Sequence, residues 1–453
     1  MRAPADLEYN TTMKALRILF ALLFLSFLAG PAQAEGLVFS KEDRLLVIAP
    51  HPIDEALGAA GMMQSAVHAG AQVKVVYLTH GESNEMPLIF NQKKPFLTQS
   101  LFHKKRDQRT REALESASLL GLKKEDLFFF GYPDFQTMKI WQRYWESPKP
   151  FRSLYTRMNQ VSSPEDFSYG RDYRGENILL DFEKVLKDFK PTQVLVTAPF
   201  DLNADHQAAY LYLQAALLNL RDSGLPMPKV YCYLVHLNEW PRPRRFEPDS
   251  TLAGPAHVEG LKSVEWKTHP LSAKEREAKK EMISRYDSQM TFNKKFLWAF
   301  VRANEIYCEL VPEPISTAKV VDLPGEAPPS GDVRYYIVEN ELRIDVPLFY
   351  AFDERGSLVC EVFGYKKGKT FASMPKLSLR LFGKKLAVKD RRRNVYNVGI
   401  LYKLEKKRLL LRIPLKALKD PEILFVCLRN VKEPLSVDFN AWKVLETSSP
   451  LLV

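Results

Sequence analysis

The chain has 453 residues, 46% hydrophobic and 26% charged, with a formal net charge of +11. This is ordinary globular composition, long enough for two or three domains with cores of their own, and it carries no internal repeat or low-complexity tract. Between 331 and 453 stand 24 Lys and Arg against 14 Asp and Glu, so an excess of +10 falls in the last quarter.

From Met13 the chain reads MKALRILFALLFLSFLAGPAQAE: basic Lys14 and Arg17, an apolar stretch from Ile18 to Ala29, then Ala32-Gln33-Ala34. This is the three-part pattern of a secretory signal with an A-x-A cleavage site. It predicts residues 1–34 as a removed signal peptide, with Met13 a candidate start, and a mature chain beginning near Glu35. The apolar stretch is short for a membrane span, and no cysteine follows it to take a lipid anchor. The expected location is periplasmic or extracellular, with no transmembrane span in the mature chain. An uncleaved N-terminal anchor is the alternative.

From about 42 to 310, strands and helices alternate. LLVIAP (45–50), VKVVYLT (73–79), DLFFFG (126–131), QVLVTAP (193–199) and KVYCYLV (229–235) read as short buried strands. EALGAAGMMQSAVHAG is a helix ending at Gly70. A second helix covers about 104–120 and stops at Gly121. A later one opens at Ser272, with Glu275 completing a capping box, and is expected to run to about Met290. The spacing predicts an α/β domain over 35–310, a Rossmann-like, largely parallel sheet with helices on both faces and ligands at the strands' carboxyl ends. No G-x-G-x-x-G follows the first strand, which leaves a dinucleotide site without support.

Residues 311–332 are rich in Pro and small polar residues and read as a linker. From 333 to 453 apolar and polar residues alternate between turn signals, predicting an antiparallel all-β sandwich. Runs such as Lys384, Lys385, Lys389, Arg391, Arg392 and Arg393 make it basic, as do Lys403, Lys406, Lys407 and Arg408. Outside the cytoplasm that charge suits an anionic glycan, lipopolysaccharide or membrane surface rather than nucleic acid; plain solubility is the competing account. Cys232, Cys308, Cys360 and Cys427 lack metal-type spacing. Cys232–Cys308 and Cys360–Cys427 pairs and four buried free thiols both stay open.

His51 and Asp54 emerge together at the carboxyl end of the first strand. A histidine nitrogen and a carboxylate oxygen from one tight turn can bind the same ion. Catalytic zinc usually takes three protein ligands and leaves a position for water. The third ligand should come from another strand end, and PFDLNADHQAAY (199–210) offers His206, with Asp201 and Asp205 nearby.

These residues resemble the PIG-L/LmbE-like zinc-dependent de-N-acetylases, which remove acetyl from N-acetylglucosamine-type sugars. The family's [AP]-H-P-D-D-E stands here as P-H-P-I-D-E, and its H-P-D-H as N-A-D-H. T-H-G-E (79–82), R-T-R-E-A (109–113) before L-G (120–121), and G-Y-P-D (131–134) also match. So do YLVHLNEWPRP (233–243), Y-D-S-Q (286–289) and FVRANE (300–305), so the resemblance covers roughly 42–310. It implies that His51, Asp54 and His206 bind Zn2+, and that Arg109 and Asp134 help hold an N-acetylated sugar or polysaccharide.

The departures fall on the chemistry. The family's general base is Ile53 here, and the residue thought to stabilise the oxyanion or assist the leaving amine is Asn203. Zinc still lowers the pKa of water to roughly 7, whereas a positioned base adds about 10² to 10⁴ in rate. Asp205 or Asp201 could supply the missing carboxylate, and Asn203 could donate to an oxyanion. Plainer roles stand beside these. Asp201 could bind backbone in a turn, Asp205 could orient a ligand imidazole, Arg109 could be an exposed helix charge, and Asp134 could shape a turn. His80, His103 and His236 read as structural or solvated. Trp141, Tyr144, Trp145 and Trp240 could form a sugar platform or minor core. Two functions are therefore carried forward: an exported zinc-dependent de-N-acetylase, and a catalytically silent glycan-binding protein on the same fold.

Overall fold

A computed structural model describes residues 36–83, 99–255, 264–317, 333–348, 357–396, 398–405, 408–430 and 441–447. The expected signal peptide, most of the linker, Lys406 and Lys407 lie outside the described residues. Among the described residues no helix is long and apolar enough to cross a membrane.

The first half is built on β1 (Arg44–Ala49), α1 (Asp54–Gly58), α2 (Ala60–His68), β2 (Gln72–Thr79), α3 (Gln99–Ser118), β3 (Leu127–Tyr132) and α4 (Thr137–Arg143). Then come α5 (Gly175–Phe189), β4 (Gln193–Thr197), α6 (Ala204–Asp222), β5 (Lys229–Tyr233), β6 (Lys267–Pro270), α7 (Ala273–Ser284), α8 (Asp287–Trp298) and β7 (Asn304–Glu309). The sheet order is β3-β2-β1-β4-β5-β7-β6. The first five strands are parallel, and β7 and β6 add an antiparallel edge. Central strands such as RLLVIA and QVLVT are buried along nearly their whole length, because helices cover both faces. The chain leaves β1 toward β2 on one side and later returns to β4 on the other. With Ile48 beside Val196, the carboxyl ends of β1 and β4 adjoin at this switch point.

The helix expected from Ser272 to Met290 is two helices, α7 and α8, with Tyr286 between them. The Ser272–Glu275 capping box is present. Tyr286 is fully buried and donates to the Glu55 carboxylate, which holds the break in place.

Beyond β7 the described residues form a sandwich of a five-stranded and a seven-stranded sheet, their strands mostly antiparallel. The linker's start takes part in it: Glu313–Pro314 pairs with the last strand and Ser316–Thr317 with Arg334–Val338. Strand Ser357–Tyr365 is buried throughout and has two apolar faces. Leu358, Cys360 and Val362 face the sandwich core, whereas Phe363 and Tyr365 join the core of the α/β half. Trp141 on α4 is completely buried there, with Phe371, Phe425, Phe363 and Trp442 ring centroids 5.1 to 6.3 Å away. Gln142 donates to Glu361 (2.9 Å) and Tyr365 to Asp222 (2.6 Å). Trp141 and Trp145 are thus interdomain core rather than a sugar platform. The sandwich sits behind α4 and α6, the two helices that hold one side of the site.

Candidate metal centre

The chain after β1 turns sharply through His51, Pro52 and Ile53 into α1. Ile53 has φ +103° and ψ −29°, an outlier for a β-branched residue, which costs about 1–3 kcal/mol. The turn is pinned from several sides. Asp54 N–H donates to His51 O (3.1 Å), Ile53 N–H to Glu55 Oε2 (3.1 Å), and Arg109 to Pro52 O (2.8 Å). After β4 the chain opens α6, capped by Asn203, whose Oδ1 accepts from Asp205 N–H at 2.9 Å. These two turns bring His51, Asp54 and His206 together.

Their donor atoms form a nearly equilateral triangle. His51 Nδ1 lies 3.1 Å from Asp54 Oδ2, Asp54 Oδ2 lies 3.1 Å from His206 Nε2, and His206 Nε2 lies 3.2 Å from His51 Nδ1. Zinc bonds of about 2.0–2.1 Å in tetrahedral directions separate ligand atoms by about 3.3 Å. The two-nitrogen, one-oxygen set and its spacing fit zinc.

Each imidazole is backed by carboxylate on its other side. His206 Nδ1 is 3.1 Å from Asp201 Oδ2. His51 Nε2 is 3.1 Å from Asp134 Oδ1 and 3.4 Å from Asp205 Oδ2. Carboxylates so placed favour particular tautomers and ring orientations, here by charge and proximity, since neither His206 Nδ1 nor Asp134 Oδ1 makes a hydrogen bond among the described residues. Asp201 also accepts the N–H groups of Val235 (3.0 Å), His236 (2.9 Å) and Asn203 (2.9 Å). Asp205 accepts from Phe135 N–H and from both Thr137 N–H and its hydroxyl. Asp134 Oδ2 accepts Ser83 N–H at 2.8 Å. Four buried carboxylates thus surround two imidazoles, a negative excess suited to a divalent cation.

The titration pattern agrees. Burial opposes charge on Asp54, yet the His206 and His51 rings hold its carboxyl well below the usual range. Burial would lower both imidazoles. Asp134, Asp205 and Asp54 nevertheless raise His51 well above its ordinary value, and Asp201 and Asp54 push His206 up to about 9. Burial, then the neighbouring Asp134, pushes Glu82 up to about 8.

His51 and Asp54 line a cavity of about 230 Å³, with His206 buried behind them, and the lining also includes Ile53, Arg109, Asp134, Phe135, Asn203 and His236. Asp201 and Asp205 are not among its lining residues. Arg109 is buried, donates to His80 O (3.2 Å) and Pro52 O, and has one terminal nitrogen without a partner among the described residues. Gly81, at φ +63°, gives it room, since a Cβ there would come within 2.5 Å of the guanidinium. His236 stacks on Phe296 and packs 4.8 Å from His206, and burial lowers it to about 4, so its ring is neutral. Its place in the cavity is unexpected from sequence. The signal available was its place just beyond the fifth strand, the same kind of position that singled out His51. His80 is a structural tie, 3.0 Å from Asp166 and 3.2 Å from Thr110.

Residues 46–217 match the family model PIG-L, described as GlcNAc-PI de-N-acetylase. Comparison with curated proteins finds no match. Among solved structures, N,N'-diacetylchitobiose deacetylase from Pyrococcus horikoshii is 18% identical, with 58% of this chain and 82% of that one covered and a TM-score of 0.33. The zinc-inhibited form of teicoplanin deacetylase Orf2 is 15% identical, with coverage of 59% and 98% and a TM-score of 0.38. GalB, a 4-carboxy-2-hydroxymuconate hydratase from Pseudomonas putida, is 18% identical, with coverage of 57% and 82% and a TM-score of 0.33. At these scores the likenesses carry no argument about the reaction. The PIG-L match spans β1 through most of α6, and so includes all three residues of the triangle.

Proposed function

We propose that the protein is an exported, zinc-dependent hydrolase that removes the N-acetyl group from an N-acetylglucosamine-type sugar of a glycan or glycoconjugate. The observation that carries this reading is the triangle of His51 Nδ1, Asp54 Oδ2 and His206 Nε2, with edges of 3.1 to 3.2 Å, of which His51 and Asp54 line a cavity. When bound there, zinc supplies Lewis acidity toward the amide carbonyl and lowers the pKa of water to about 7. Asp201, Asp134 and Asp205 keep the two imidazoles in register. Arg109, with its spare buried donor, and Asp134 hold sugar hydroxyls. Asn203 spends its carbonyl on the α6 cap and turns its amide NH2 to the developing oxyanion. Asp201 and Asp205 are committed to imidazoles and backbone and lie off the cavity wall, so the role of carrying a proton from water to the leaving amine is assigned to His236, which lines the cavity beside His206.

The test is release of free amine from N-acetylglucosamine oligosaccharides by the zinc-loaded protein, beside Ile53→Asp and His236→Gln. Turnover by the wild type that His236→Gln lowers by about 10² or more supports the reading. A silent wild type with an active Ile53→Asp would favour the glycan-binding alternative, with only the base missing. We also propose that the basic sandwich holds an anionic glycan or lipopolysaccharide. Lys384, Lys385, Lys389, Arg392 and Arg393 are exposed on one hairpin, and retention on a sulfated polysaccharide at low salt, lost as salt rises, is the expected result.

A further inference from the structure

Ile53 is strained, yet the turn does not need it. Its shape is fixed by bonds to Glu55 and His51 and by Arg109 on Pro52. Asn, Asp or Gly would take the positive φ with less strain. The branched side chain is only 6% exposed and faces the cavity, together with Leu57, Phe296 and Leu297. The metal centre therefore has an apolar wall directly beside two of its ligands.

We propose that this wall receives a hydrocarbon chain, and that the substrate is an amino sugar N-acylated with a chain longer than acetyl. The inference rests on the amide-hydrolase reading. The position decides which part of the substrate meets the wall. Ile53 shares one turn with His51 and Asp54 and lines the same cavity, so the acyl side of an amide held at the triangle is the part assigned to it. A sugar hydroxyl against Ile53 would give up its hydrogen bonds to water without replacement, whereas a methylene gives up none. The polar lining of Arg109, Asp134, Asn203, Gln289 and Asn293 remains for the sugar.

The experiment measures binding of acetate, butanoate and hexanoate, the product acids, to the zinc-loaded protein by calorimetry. The carboxylate contact is common to the series and cancels. Full burial strengthens binding by about fourfold per added methylene, and the expected result is a clear rise from acetate to hexanoate that flattens in Ile53→Asn and Ile53→Asp. Asn tolerates the positive φ, so loss of folding does not confound that variant. Equal affinities across the wild-type series would overturn the inference, and so would a rise that both variants keep. Cleavage of N-acetyl- and N-hexanoylglucosamine is followed in parallel. A chain-length rise without cleavage of either refutes the hydrolase reading and leaves the acyl wall standing. Cleavage of the acetyl compound with a flat series does the reverse.

Discussion

Replacing Asp201 by Asn removes a charge behind His206, one of the three proposed metal ligands, while keeping its shape. Asp201 Oδ2 stands 3.1 Å from His206 Nδ1 and accepts two backbone N–H groups from the segment after β5. The variant keeps one acceptor oxygen but no longer fixes the imidazole by charge. Loss of such a partner weakens metal binding by about 10–100-fold, or about 1.4–2.7 kcal/mol. The pH profile carries a second signature. In the metal-free protein burial lowers the His206 pKa, but Asp201 and then Asp54 push it up to about 9. That is above an unfolded value of about 6.5. The imidazolium therefore stabilises the metal-free fold fully below about pH 6.5, and the contribution is lost as pH rises through about 9. Protons and metal compete for the same ring, so wild-type affinity should still be climbing as pH rises through about 9. In Asp201→Asn the climb should end at a lower pH, because the largest influence raising the pKa is gone. Zinc competition against a chromophoric chelator from about pH 6 to about 9.5 reads both effects. Equal affinities of wild type and variant across that whole pH range would refute the orienting role.

Trp141→Ala should destabilise the protein by about 3–5 kcal/mol in denaturant, because the ring is buried between the two halves. Two well-separated unfolding transitions in the wild type would contradict the view that the halves unfold as one unit. Arg109→Lys should raise KM for an N-acetylated sugar by about 10–100-fold, since a single ammonium cannot serve Pro52 O, His80 O and a substrate together; an unchanged KM would remove Arg109 from substrate binding. Oxidation should join Cys232 to Cys308, which stand opposite each other across the antiparallel β5–β7 pair. Cys360 and Cys427 should stay reduced, because one faces the sandwich core and the other the α/β core. A Cys360–Cys427 peptide in mass mapping would show the register to be wrong.

The parallel sheet was legible in the sequence because it depends on local patterns: short apolar runs, helices stopped by glycine, and spacing too long for hairpins. The same patterns placed His51, Asp54 and His206 at strand ends. A parallel sheet gathers such ends at its switch point, so their meeting followed from the strand assignments. The two acids near His206 were a different matter. Asp201 and Asp205 are both close to it in sequence, and nothing local says which way a carboxylate turns. Only the folded chain supplies the N–H groups of Val235 and His236 that claim Asp201, and those of Phe135 and Thr137 that claim Asp205. His236 reaches the cavity by the same route, carried in by β5. The break at Tyr286 and the burial of Trp141 likewise depend on partners far along the chain, Glu55 in one case and the sandwich in the other. Backbone periodicity is fixed by neighbours in sequence, whereas a buried polar or aromatic side chain points to whichever distant partner satisfies it, and only the tertiary structure decides which partner that is.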